Sequence, residues 1–222
     1  MVALRRLEDA ERDGDTIYAV LRDLGSSTDG RIKSIYAPSS DGQSEAIRNA
    51  YGRIDYGMRD VEVIEAHGTG TVAGDRVEFD GLMKAWGKDE PGRRAVCALG
   101  SVKSQIGHTK AAAGTAALVK IALALHHRVI PPTIKVAQVN PRLKIDESPF
   151  YLPTKPRPWV HAPGSRRKAG ISSFGFGGAN YHFTVEEYVG SGKRPKRMHR
   201  SPVEVFLVSA PDADRLMAAV RT

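Results

Sequence analysis

The sequence predicts a layered α/β domain, and three observations carry that expectation. Strand-like runs alternate with helical patterns along most of the chain. One helix of small and apolar residues is suited to close packing on several sides. Glycine and proline punctuate the gaps between periodic segments, and no internal repeat is evident. With 222 residues, 41% hydrophobic and 26% charged, the composition is that of an ordinary globular protein. That length buries a sizeable core as one large domain or two small ones.

The elements follow in order. Thr16–Leu24 is rich in β-formers and is expected to end at the turn Gly25–Gly30. After a loop containing Pro38, Ser40 and Gln43 have the spacing of a capping box, which predicts a helix to about Tyr51. Asp60–Ala66 reads as a buried strand that runs into His67-Gly-Thr-Gly-Thr71. Asp75 then opens a helix. Its Phe79, Leu82, Met83 and Trp86 keep the i, i+3, i+4, i+7 spacing, and Gly87 suits its C-terminus. Arg94–Gly100 is the next strand, followed by a loop to Gly107-His108.

Lys110 to about His127 forms the long small-residue helix, stopped by Pro131-Pro132. Residues 133–168 are punctuated by proline and promise few regular elements. Lys168–Phe174 and Ala179–Glu187 read as two strands joined through Gly175-Phe-Gly-Gly178, and residues from about 189 onward read as a linker.

Charge and cysteine usage exclude several function classes. The net charge is +8, of which five lie in residues 191–200 as Lys193, Arg194, Lys196, Arg197 and Arg200. This run has proline and no apolar pattern, so it reads as a solvated linker. A nucleic-acid arm would want further basic and aromatic surface beside it, and no nucleic-acid partner is expected. The apolar stretch Ala111–Leu125 is broken by Gly114, Thr115 and Lys120, short of the roughly 20 residues of a membrane span. The N-terminus has no apolar core of a secretory signal, so no membrane association is expected and a cytoplasmic location is. A single cysteine, Cys97, excludes a disulfide framework and thiolate-only zinc. The spacing of His67, Cys97 and His108 fits no zinc pattern, so no metal is expected.

Three loops carry chemistry. His67-Gly-Thr-Gly-Thr71 combines an imidazole and two hydroxyls with glycines that let a ligand approach the backbone. Lys103-Ser-Gln-Ile-Gly-His108 puts an ammonium and an imidazole before the long helix, whose positive dipole end favours a neutral ring. Phe174-Gly-Phe-Gly-Gly-Ala-Asn180 exposes backbone N–H groups suited to an oxyanion hole. Each loop taken alone reads as structural. None matches a P-loop or a dinucleotide fingerprint.

Together and in this order they are distinctive. Glu65-Ala-His-Gly-Thr-Gly-Thr71, Gly100-Ser-Val-Lys-Ser-Gln-Ile-Gly-His-Thr-Lys-Ala-Ala-Ala-Gly114 and Gly170-Ile-Ser-Ser-Phe-Gly-Phe-Gly-Gly-Ala-Asn180 resemble the β-ketoacyl synthase domains of type I polyketide and polyunsaturated-fatty-acid synthases. The resemblance covers about residues 1–188. It implies the C-terminal half of the thiolase-like αβαβα architecture, with residues 189–222 as a basic linker and the start of the ketosynthase–acyltransferase linker. Val203–Ala210 resembles that linker's first strand.

The activity implied is decarboxylative Claisen condensation of an acyl thioester with malonyl-carrier protein. The resemblance makes His67 and His108 the two active-site histidines, Lys103 the catalytic lysine and Glu78 the acid that pairs with it. Thr69 and Thr71 match pantetheine-binding residues, as Phe174 and Phe176 match residues of the acyl site, the latter the gating phenylalanine. Asp75 and Asn180 match structural supports. No bound cofactor is implied, because the phosphopantetheine arm arrives on the carrier protein. The implied partners are that carrier, an N-terminal half bearing the nucleophilic cysteine, and a second copy in a homodimer.

The family's cysteine elbow is missing here, and Cys97 sits in a strand where it reads as a buried small hydrophobe. The chain is therefore expected to be inactive alone and to leave part of helix 110–127 uncovered. The alternative is a non-condensing ketosynthase-like protein, either a malonyl-thioester decarboxylase or a structural partner that sets chain length.

Overall fold

The computed structural model describes residues 1–30, 34, 37–87, 94–162, 164–192 and 208–221. A short helix α1 (Leu7–Arg12) precedes strand β1 (Val20–Thr28), helix α2 (Ser40–Tyr51) and strand β2 (Val63–Glu65). Helix α3 (Val72–Trp86), strand β3 (Cys97–Gly100), the single turn α4 (Lys103–Ile106) and helix α5 (Ala113–His127) follow. The remainder is β4 (Val129–Ile130), β5 (Phe150–Tyr151), β6 (Arg157–Pro158), β7 (Lys168–Gly175), β8 (Ala179–Glu186) and α6 (Ala213–Arg221).

Six strands form one mixed sheet in the order β1-β8-β7-β2-β3-β5, while β4 and β6 pair separately. The centre is parallel, with Val63 opposite both Ala98 of β3 and Ala169 of β7. The β7–β8 hairpin is antiparallel, closed by Gly175 opposite Ala179.

Side chains alternate across the sheet and so divide the core. Ile64, Cys97 and Leu99 face α2 and α3, where they meet Ile47, Phe79, Leu82, Trp86 and Phe150. Val63, Ala98, Ala169 and Ile171 face α5, where they meet Ala117, Ile121 and Leu125. The layered α/β expectation holds, with helices on both faces.

Several boundaries differ from the expectations. β1 begins at Val20 and runs through Gly25–Thr28, the residues expected to turn. Gly25 is there for packing: a Cβ on it would lie 2.0 Å from the Ala46 carbonyl oxygen and 2.3 Å from the Ala50 nitrogen of α2. The cap of α2 is Ser39, whose hydroxyl accepts from the Gly42 amide, one residue before the expected box. Thr71 caps α3, which starts three residues before Asp75. The strand expectations at 60–66 and 94–100 shrink to three and four residues. The expected loop before His108 contains the helical turn α4.

The long helix, the Gly87 end of α3 and the 168–187 hairpin stand where expected. Residues 133–168 hold 3-10 turns and two short strands. The basic run 193–200 and most of Val203–Ala210 lie outside the described residues. Residues 208–210 are not strand, and α6 beyond them was not foreseen. Among the described residues, no helix is long and apolar enough to cross a membrane.

Candidate active site

Every chemical loop leaves the C-terminal end of a strand or enters a helix, which gathers the loops at one edge of the sheet. His67 follows β2, Lys103 and His108 follow β3, and Phe174 ends β7, adjacent strands in the sheet. The imidazoles of His67 and His108 meet edge to face with centroids 5.4 Å apart, and the Phe174 ring lies 5.8 Å from His67. Residues 41 apart in sequence are thus brought into contact.

The His67 loop is braced from below. Glu78, on the buried side of α3, accepts hydrogen bonds from the His67 amide (2.7 Å) and the Gly68 amide (2.8 Å). Asp75 accepts from the Gly70 amide at 3.0 Å, and Thr71 accepts from the Gly74 amide at 3.1 Å as it caps the helix. The Ser101 hydroxyl, from the neighbouring loop, donates to the Gly68 carbonyl at 3.3 Å. Gly68 is required there: its φ is +46°, and a Cβ would lie 2.7 Å from that of Ser101.

These contacts set the electrostatics. Burial lowers His67 to about 4, and Lys103 and His108 push the same way, so its ring is neutral at neutral pH. Burial raises Glu78 to about 7 against the pull of its two backbone donors. Burial also lowers Lys103 and raises Asp75.

His108 is held differently. Its Nδ1 accepts from the Lys110 amide at 3.0 Å. An amide can only donate, so the neutral ring carries its proton on Nε2 and offers that N–H as a donor. Slight desolvation, then Lys103 and Lys110, lower this ring too.

The remaining expected residues divide. Thr69 and Thr71 are exposed beside the histidines, with hydroxyls 3.2 Å apart. Phe174, rather than Phe176, is the ring against His67; Phe176 stands at the hairpin tip, 84% exposed. Asn180 is buried and donates to Asp29 at 2.6 Å, tying the hairpin to the end of β1. Glu78 raises the Lys103 pKa through space, yet no ion pair within 4 Å joins them among the described residues. Glu78 gives its oxygens to the His67 loop instead. Cys97 is fully buried against α3, where desolvation pushes its thiol well above the ordinary range and away from nucleophilic use.

Sequence reasoning overlooked Glu65 and Lys120. Glu65, on the α5 face of β2, accepts from Lys120 Nζ at 2.6 Å and from the Val102 amide, both within the core. The signal was a lone lysine in an otherwise apolar helix.

Comparison with known proteins accords with this geometry. Residues 18–137 match the beta-ketoacyl synthase, C-terminal domain. The chain is 45% identical over 217 residues to a polyunsaturated fatty acid synthase of Thraustochytrium, covering 94% of this chain and 8% of that protein. It is 39% identical over 223 residues to a phenolphthiocerol/phthiocerol polyketide synthase of Mycobacterium tuberculosis, covering 100% of this chain and 14% of that one.

Among solved structures, the ketosynthase from module 6 of the bacillaene synthase of Bacillus subtilis superposes with a TM-score of 0.78 at 39% identity, over 83% of this chain and 33% of that one. The oxazolomycin ketosynthase domain of Streptomyces albus gives 0.78 at 39% identity, over 98% and 38%. The chain thus spans a small fraction of its curated relatives and about a third of a solved ketosynthase. It belongs to the β-ketoacyl synthase family, as the C-terminal half of a type I polyketide-synthase ketosynthase with a thiolase-like fold.

Proposed function

We propose that this chain supplies the two-histidine half of an active site for decarboxylative Claisen condensation, completed by a cysteine on a separate segment. The contact between His67 and His108 carries the reading: two neutral imidazoles converge beside an ammonium with no accessible thiol on the chain. An acyl group sits as a thioester on the partner half's cysteine. Malonyl-carrier protein loses carbon dioxide, and the electron pair of the broken C–C bond forms an enolate at the carrier thioester. His108 Nε2–H and His67 stabilise the enolate oxygen, where negative charge develops. The carbanion attacks the acyl carbonyl, and collapse of the tetrahedral intermediate expels the cysteine thiolate. The β-ketoacyl product remains on the carrier.

Desolvation keeps both rings neutral, and the Lys103 charge pushes the same way. Thr69 and Thr71 face the solvent side of the site and hydrogen-bond the pantetheine amides. No cofactor of the chain's own enters the scheme. The carrier, the cysteine-bearing half and a second copy of the domain are the partners. Residues 1–188 form the catalytic half and 189–222 the linker, in a cytoplasmic enzyme.

A groove of about 630 Å³ along α5 supports a missing partner half. Its lining includes Ile106, Val119 and Leu123, which are 60%, 42% and 41% exposed. A contiguous apolar face of this kind marks an interface, and the solved ketosynthases have about three times the matched length to cover it.

Two measurements test the reading. Intact mass after incubation with an acyl thioester should show no adduct specific to the native chain. A fast single adduct on native Cys97 would overturn the proposal. Mixing the chain with a cysteine-bearing N-terminal half should then yield a β-ketoacyl-carrier product that neither half yields alone. Carbon dioxide release by the chain alone, unchanged when the other half is added, would instead identify a decarboxylase.

A further inference from the structure

Beneath the site lies an ion pair that the condensation scheme does not use. Glu65 ends β2 two residues before His67, and its side chain is 1% exposed. The alternation of β2 turns Val63 and Glu65 toward α5, where Lys120 meets the carboxylate at 2.6 Å with its own side chain 9% exposed. The second carboxylate oxygen accepts from the Val102 amide, immediately before Lys103. One carboxylate therefore joins the end of β2, which leads into His67, the turn that carries Lys103, and α5, which follows the His108 loop.

We propose that the Glu65–Lys120 ion pair positions the Lys103 turn against His67. Lys120 supplies the counter-charge to Glu65 in the core, and Glu65 in turn holds the Val102 amide. Without Lys120 the carboxylate is an uncompensated buried charge; without Glu65 the turn loses its tie to β2. Both ends of the pair also act on the Lys103 ammonium, in opposite directions. The inference rests on reading His67, Lys103 and His108 as the working groups. Its tests read geometry rather than turnover, so its failure is separable from failure of the ketosynthase proposal.

The experiment is hydrogen exchange of the full chain by mass spectrometry, joined to NMR titration of labelled histidines. In Glu65→Gln, amides of residues 101–107 should exchange at least tenfold faster while those of β1 and β8 keep their rates. His67 should also titrate above its starting value of about 4 as the ammonium moves away and water enters. Lys120→Arg, which keeps the charge, should restore both readouts where Lys120→Met does not. If Glu65→Gln fails to fold, the neutral pair Glu65→Leu/Lys120→Met removes the unpaired charge and carries the same reading. Unchanged protection at 101–107, or a loss spread evenly over the sheet, would overturn the proposal. So would an unmoved His67 titration.

Discussion

The loops that carry His67 and His108 meet at one edge of the sheet with different support. The His67 loop has a buried carboxylate on two of its amides, a second carboxylate on Gly70 and a neighbouring hydroxyl on its carbonyls. The His108 ring is exposed and oriented by one amide two residues on. The first loop is therefore held by the fold and the second by its own backbone. Under the proposed function, the first ring is fixed from several sides and the second from one. Substitutions should then act on stability through the first loop and on chemistry through both.

The largest effects fall on the reaction. If the proposed function holds, then in a ketosynthase assembled with a cysteine-bearing half His67→Ala and His108→Ala should each lower kcat by about 10²–10³, the usual result of removing one oxyanion donor. Product formation followed by mass spectrometry checks this. If His108→Ala also lowered the melting temperature as far as substitutions in the braced loop, the contrast between the loops would fail.

Glu78→Ala comes next. It leaves the His67 and Gly68 amides without their buried acceptor, at about 1–3 kcal/mol each by denaturant titration. The pH dependence gives a sharper test. Folded Glu78 titrates near 7 against an ordinary 4.5, so its contribution is full below 4.5 and is lost as pH rises through 7. That window spans roughly 3 kcal/mol at most. Glu78→Gln should flatten it. His67, depressed to about 4 from 6.5, works the other way: stability is lost as pH falls between those values.

Gly68→Ala should cost roughly 1–3 kcal/mol, combining left-handed backbone strain with a clash against Ser101. Smallest is Lys110→Gly. Lys110 sits at φ +54°, so glycine there should stabilise the chain by up to about 1 kcal/mol. The titration of His108 should rise only slightly, because the Lys110 charge is the smallest of the three causes that lower it and the amide that orients the ring remains. A large shift in that titration would show that the Lys110 side chain, and not its backbone, holds the ring.

Much of this was legible from local pattern. The apolar spacing of Phe79, Leu82, Met83 and Trp86 marked a helix with one buried face, and that face carries Glu78 into the site. The glycines around Phe176 marked the hairpin turn. Other readings failed where local preference lost to packing. Gly25-Ser-Ser-Thr28 has turn composition yet forms strand, because α2 crosses so close that only glycine fits. The turn at Lys103–Ile106 lacked any capping signal and passed for loop.

The sequence alone determined the family-bearing loops, the two histidines and the helix pattern around them, since each is written in residues near one another in the chain. Only the tertiary structure decided which groups touch. The Glu65–Lys120 pair spans 55 residues and the two histidines 41, and both depend on β2, β3 and β7 lying side by side. It also decided that Glu78 serves the His67 backbone before it serves Lys103, because burial makes two unsatisfied amides costlier than a distant ammonium.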